Sequence, residues 1–242
     1  MDNFINYTMN DSDQKSYTDN GYIILNNFFN TNVINELYNT LETCSPEWWA
    51  ASTPTSDYEP KILPYYQCGM NDKEIKQRKK IATNSFCTGD LCYRFDRLRQ
   101  PHIDGCTCNI CKFTKLLHSE NLLNFCKKFV KDDNIGDINL KPYYTRYNDE
   151  DFLSLHTDSK NKKENGQVRK IAIIIHLAKN WKPWYGGNLM ILDKEADYVR
   201  TAITPKFNSI CIMNVENDAL PHYVDPMIAG LWKKRYAVSM WY

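Results

Sequence analysis

Ile171-Ala-Ile-Ile-Ile-His-Leu177 is the stretch that decides the fold. The run is short and dominated by β-branched residues, so it reads as a strand. The pattern recurs outward from it. Asn188-Leu-Met-Ile-Leu192, Ser209-Ile-Cys-Ile-Met213 and Tyr236-Ala-Val-Ser-Met-Trp-Tyr242 are brief apolar or aromatic runs separated by Gly, Pro, Asn and Asp. From Asn139 onward the chain is therefore expected to be β. Helical patterns come before these strands. Helices followed by closely spaced strands predict an α+β protein: a double-stranded β-helix (jelly roll) with supporting N-terminal helices.

The N-terminal half supplies those helices. Gly21-Tyr-Ile-Ile-Leu25 predicts an opening strand. Thr31 or Asn32 then caps a helix in which Val33, Ile34, Leu37, Tyr38 and Leu41 form one apolar stripe. Ser119 caps another through Lys131, with Leu122, Leu123, Cys126, Phe129 and Val130 inward. Residues 1–20 are rich in Asn, Asp and Ser without periodicity, and a loose arm is expected there. Residues 21–242 are expected to form a single domain. Pro46, Pro54, Pro60 and Pro64 mark an irregular, Cys-containing insertion at about 45–112.

Composition narrows the function classes. The chain has 242 residues, 43% of them hydrophobic, enough for a sizeable core. Thirty basic against 29 acidic residues, a net charge of +1, argue against a nucleic-acid partner bound through charge. Lys76-Gln-Arg-Lys-Lys80 reads as a solvated helix face. No apolar stretch approaches a membrane span, and Met1 to Asn20 is unlike a signal peptide. A cytoplasmic, intracellular protein without a membrane partner is expected, its nine cysteines serving as thiols or metal ligands. Oligomeric state is left open.

His156-Thr-Asp158 carries the chemistry. In an extended strand residues two apart project from one face, so His156 and Asp158 converge. His222, from another strand, completes two imidazoles and a carboxylate. Such a trio holds Fe(II) on one face and leaves coordination positions for substrate and O2.

The order of motifs around it is more specific than the triplet. Tyr143-Tyr-Thr-Arg-Tyr147 leads into His156; Trp181, Gly186-Gly187-Asn188 and Pro205-Lys-Phe-Asn208 follow; Pro221-His222-Tyr-Val-Asp-Pro226 precedes Arg235-Tyr-Ala-Val-Ser-Met-Trp241. The series resembles the prolyl-4-hydroxylase-like branch of the Fe(II)/2-oxoglutarate dioxygenases, strongly over residues 140–242. The resemblance implies His156, Asp158 and His222 as catalytic iron ligands and Arg235 as partner of the distal 2-oxoglutarate carboxylate. A guanidinium suits that role through its fork geometry and permanent charge. The resemblance also assigns Tyr147 and His176 to the co-substrate site, His176 standing where hypoxia-type enzymes carry a tyrosine. Ala237 replaces a hydroxyl residue common in relatives, which points to Tyr144 or Ser239 for the missing contact. On the last strand Arg235, Ala237 and Ser239 share one face, and the two small residues leave room for the co-substrate. Gly186-Gly187 reads as a turn with close backbone approach.

The implied activity is hydroxylation of an unactivated C–H, with Fe(II) as cofactor, 2-oxoglutarate and O2 as co-substrates and ascorbate as an auxiliary reductant. The carboxylate of Asp158 favours hydroxylation over halogenation. A prolyl residue of a peptide or protein is the implied substrate; a free amino acid or other small molecule is the alternative. The non-enzyme alternative is a jelly-roll binding or regulatory protein without turnover. Trp48, Trp49, Tyr65, Tyr66, Trp184 and Tyr185 line the substrate site or belong to the core. A second metal question lies in His102, Cys106, Cys108 and Cys111, whose spacing is unlike a common zinc finger yet offers four ligands for zinc.

Overall fold

The computed structural model describes residues 4–54, 60–64, 72–86, 91–98, 105–130, 135–136, 141–158, 168–216 and 219–242. Its helices are α1 (Asp11–Asn20), α2 (Thr31–Thr43), α3 (Asp72–Phe86), α4 (Asn109–Leu117) and α5 (Glu120–Val130). Its first strands are β1 (Tyr22–Asn26), β2 (Trp49–Pro54), β3 (Pro60–Pro64), β4 (Tyr93–Leu98), β5 (Tyr143–Tyr147) and β6 (Phe152–His156). The rest are β7 (Ile171–His176), β8 (Leu189–Leu192), β9 (Val199–Ile203), β10 (Ser209–Asn214), β11 (His222–Val224) and β12 (Arg235–Trp241).

The strands run in the order β1-β10-β7-β12-β5-β4-β6-β11-β8-β9, and every neighbouring pair in that path is antiparallel. This is the expected double-stranded β-helix with helices on one side. The larger sheet ends at β1, the smaller at β9, and β4 joins them: Tyr93 and Arg94 pair with β6, Asp96 and Arg97 with β5.

Why β7 reads as an unbroken apolar run is visible in its surroundings. Ile171, Ile173 and Ile175 join the cluster between sheet and helices, while Ala172 and Ile174 face the barrel interior. A strand buried on both faces loses polar alternation. The helical layer meets that sheet through Ile34, Leu37 and Leu41 of α2, Ile110, Phe113 and Leu117 of α4, and Leu122, Phe125 and Phe129 of α5.

Two regions depart from expectation. In place of a loose arm, α1 is capped at both ends. Asn10 and Asp13 form a reciprocal capping box, and Gly21 ends the helix at φ 78° with its N–H on the Tyr17 carbonyl. Tyr17 packs on Phe129, and Phe4 stacks on Phe29. With so few apolar anchors the helix leaves no periodic signature. The stretch 45–112, expected as irregular, contributes β2, β3, α3 and β4; β2 pairs with β4 and so widens the larger sheet. On α3, Lys76, Gln77 and Lys80 are exposed, as a solvated face requires.

Asn208 explains one of the sequence motifs. It adopts φ 61°, accessible to asparagine at low cost, and is buried. Its side chain accepts from the Phe29 N–H at 2.9 Å and donates to the Phe29 carbonyl at 2.8 Å. The turn into β10 is thereby fastened to the link between β1 and α2. Asn208→Ala orphans two buried backbone groups, and a loss of about 2–4 kcal/mol is expected in urea unfolding, with an unchanged m-value.

Candidate active site

The site grows from a cross-strand pair. β11 lies antiparallel to β6 with His222 directly opposite His156, and the two rings are 4.2 Å apart. β6 ends at His156, and Asp158, just beyond, turns its carboxylate to both imidazoles. The separations are 3.9 Å to His156 Nε2 and 3.8 Å to His222 Nε2. One donor atom from each residue lies within 4.8 Å of the others. Those gaps are too long for hydrogen bonds and suit three ligands around a shared ion.

The imidazoles are oriented from behind. His156 Nδ1 donates to the Ser154 carbonyl at 2.8 Å, and His222 Nδ1 donates to the Leu220 carbonyl at 2.9 Å. A carbonyl only accepts, so each Nδ1 carries the proton and each Nε2 presents a lone pair. Burial, and after it the neighbouring His222, push the His156 pKa down to about 4, which keeps the ring neutral as a metal ligand must be.

Arg235 opens β12, paired with Tyr147 of β5. It is 1% exposed. Burial lowers its pKa, opposed by the nearby Tyr147 and Asp225. Among the described residues no carboxylate forms an ion pair with it, and its Nε has no hydrogen-bond partner. The oxygens of Asp225 are taken up by the backbone and side-chain nitrogens of Asn188. The Tyr147 ring lies 4.7 Å from the guanidinium carbon, and burial pushes its phenol up to about 12. His176, opposite Ala237, is fully buried with neither ring nitrogen hydrogen-bonded among the described residues. Burial, then the charge of Arg235, push its pKa down to about 3.

The His–Asp–His cluster and Arg235 line one cavity of about 270 Å³, along with Tyr147, Ala237 and Ser239. His176 is on the same inner face of the sheet but does not line it. A buried cation without a carboxylate partner, sharing one cavity with three convergent ligands, fits an anionic co-substrate chelating a metal held by the cluster. Tyr144 is corrected by the register. Tyr143, Thr145 and Tyr147 pair with Ser239, Ala237 and Arg235 on the cavity side, whereas Tyr144 points to the helices, where its hydroxyl meets Thr114 at 2.8 Å. Trp49 also belongs to the helix-side core, and Trp184 is 68% exposed. Tyr65, Tyr66 and His102 lie outside the described residues.

Sequence reasoning missed several lining residues: Ser52, Tyr93 and Arg97 from the insertion, and Tyr143, Thr145 and Arg169. Arg97 stacks over Tyr143 at 3.6 Å, and Arg169 over Trp241 at 4.3 Å. Alternation along β5 was the available signal, but two adjacent tyrosines left its phase ambiguous.

A model of the 2OG-Fe(II) oxygenase superfamily matches residues 142–242. Through that segment the chain is similar to the 2OG-Fe(II) oxygenase superfamily. The members of that superfamily are oxygenases that use Fe(II) and 2-oxoglutarate. No curated protein sequence matches this chain. Solved structures share its fold. A Trichoplax adhaerens prolyl hydroxylase, in complex with a hypoxia inducible factor oxygen degradation domain peptide, aligns at TM-score 0.59 and 17% identity, covering 95% of this chain and 86% of that one. A Pseudomonas putida prolyl-4-hydroxylase aligns at 0.54 and 13%, covering 100% and 96%. HygX from Streptomyces hygroscopicus, with nickel, 2-oxoglutarate and hygromycin B bound, aligns at 0.52 and 10%, covering 96% and 86%. At these identities the likeness is one of fold. No helix among the described residues is long and apolar enough to cross a membrane.

The Gly186-Gly187 corner closes the Arg235 end of the cavity. Both glycines sit at φ 67°; a Cβ on Gly186 would lie 2.1 Å from the Pro226 carbonyl oxygen, and one on Gly187 3.0 Å from Arg235 Cδ. Gly186→Ala therefore forces backbone apart, and a loss of more than about 2 kcal/mol is expected. Thermal melting reads it: a variant melting within a degree of the parent means the corner has slack.

Proposed function

We propose that this oxygenase hydroxylates a prolyl residue of a peptide or protein, using His156, Asp158 and His222 to hold Fe(II) and Arg235 to bind the distal carboxylate of 2-oxoglutarate. The observation that carries the reading is the buried Arg235 without a carboxylate partner, sharing one cavity with the three convergent ligands. When bound, Fe(II) with 2-oxoglutarate supplies O2 activation coupled to release of succinate and CO2, and so the oxidation of a C–H bond.

The protein's own residues position and shield. The two Nδ1–carbonyl bonds fix the imidazoles so that no reorganisation accompanies ligation. Arg235 offers a fork in a dry setting, where a paired charge is strongest. Tyr147 flanks it, and His176 lies buried on the same face of the sheet, behind the cavity lining. Ala237 and Ser239 keep space for the co-substrate between Arg235 and the ligands. Leu153, Leu189, Ile174 and Val224 make the wall apolar and exclude water. Ser52, Tyr93 and Arg97, all from the stretch 45–112, supply the side from which substrate is selected. The peptide reading is supported by the fold shared with the peptide-bound prolyl hydroxylase. A small-molecule reading draws on the fold shared with HygX, seen with hygromycin B.

Anaerobic addition of Fe(II) and 2-oxoglutarate should give a weak visible charge-transfer band, absent in His156→Ala and His222→Ala. Arg235→Lys keeps the charge but loses the fork, and KM for 2-oxoglutarate should rise roughly tenfold or more with iron content unchanged. Succinate release stimulated by proline-containing peptides is the expected substrate signature. Stimulation by free amino acids or another small molecule alone overturns the peptide reading, and an unaltered band in His156→Ala overturns the ligand assignment.

A further inference from the structure

Outside the cavity, the described residues hold one other set of convergent metal-ligating side chains. Cys106, Cys108 and Cys111 bring their sulfur atoms within 4.8 Å of one another. All three are thiols and half-buried, so an ion can reach them. They lie where the chain, having left β4, enters α4, and none of them takes part in the oxygenase site.

The local backbone is shaped around the sulfurs. Gly105 takes φ 87° directly before Cys106, with nothing near an added Cβ, so the glycine serves the turn itself. Cys108 is the N-cap of α4. Its carbonyl accepts the Lys112 N–H at 2.9 Å, and its Sγ accepts the Cys111 N–H at 3.5 Å. A cysteine at an N-cap is unusual, since serine, threonine, asparagine and aspartate cap far better.

Three thiols this close cannot all ionise beside one another without a cation, because like charges repel. A soft divalent ion removes that conflict, and zinc with three thiolates and one further ligand is a tetrahedral structural arrangement.

We propose that Cys106, Cys108 and Cys111 form a structural zinc site, separate from the iron-binding cluster, that pins the chain arriving from β4 to the start of α4. The helix it anchors is held by Ile110, Phe113 and Leu117 in the core, by Thr114 on the Tyr144 hydroxyl and by Asn109 on Thr40. A zinc ion at its first turn fixes the remaining free end.

The test has to separate this zinc from any taken up by the histidines. In a His156→Ala/His222→Ala background, protein from zinc-supplemented medium should hold about one zinc per chain. Adding Cys108→Ser should bring it below roughly a fifth of that, while Cys44→Ser leaves it unchanged. Zinc-edge X-ray absorption of the parent should show a sulfur shell at about 2.3 Å, a reading that does not depend on any variant folding. Cobalt substitution should add thiolate-to-metal absorption in the near ultraviolet. Zinc that vanishes with the two histidines, or an absorption spectrum of nitrogen and oxygen neighbours alone, overturns the proposal.

Discussion

The register of β12 between β5 and β7 is the constraint on which the rest depends. Arg235, Ala237 and Ser239 face the cavity only because Arg235 stands opposite Tyr147 and Ala237 opposite His176. A slip of one residue would turn the guanidinium toward the helices and drive Tyr236 into the barrel. Both faces resist it. Outward, Tyr236, Val238 and Met240 are buried, with Tyr236 against Tyr38 and Trp49. Inward, Trp241 meets Tyr143 and Arg169. Core packing thus sets the position of the cavity's buried charge to within one pleat.

A second constraint acts at the join between the sheets. Asp96 of β4 is fully buried and accepts from Arg146 Nε and Nη2 at 3.0 and 2.8 Å and from Asn148 at 2.8 Å. Asp151, also fully buried, accepts from the Asn148 backbone and lies 3.1 Å from Arg94. These contacts fix the corner from β5 to β6, so the strand bearing Tyr147 and the strand bearing His156 keep a set angle. Buried ion pairs of this kind contribute orientation more than net stability, because desolvation offsets their attraction.

What was legible in the sequence follows from periodicity. Ile171–Leu177 announced a strand, and His156 and Asp158 do converge although β6 stops at His156. The stripe of α2 placed Ile34, Leu37 and Leu41 in the core as expected. The illegible parts lack a period. In α1, Asp13 and Tyr17 are the buried residues; Val199 and Arg200 of β9 are exposed; β2 and β3 carry prolines at their ends. Tyr144 was misassigned for another reason. Side-chain parity on a strand is relative, and with aromatic residues at both 143 and 144 only the pairing with β12 sets it.

The two histidines share a further property. Each donates its Nδ1 proton to the carbonyl two residues before it, Ser154 for one and Leu220 for the other. Each strand therefore carries its cavity-facing ring together with the group that orients it, as one short cassette of main chain. The tautomer is written into the backbone and does not depend on the identity of a neighbouring side chain. Residues 154 and 220 can drift in evolution without disturbing the proton on Nδ1, and the walls around the site are left free to change with the substrate.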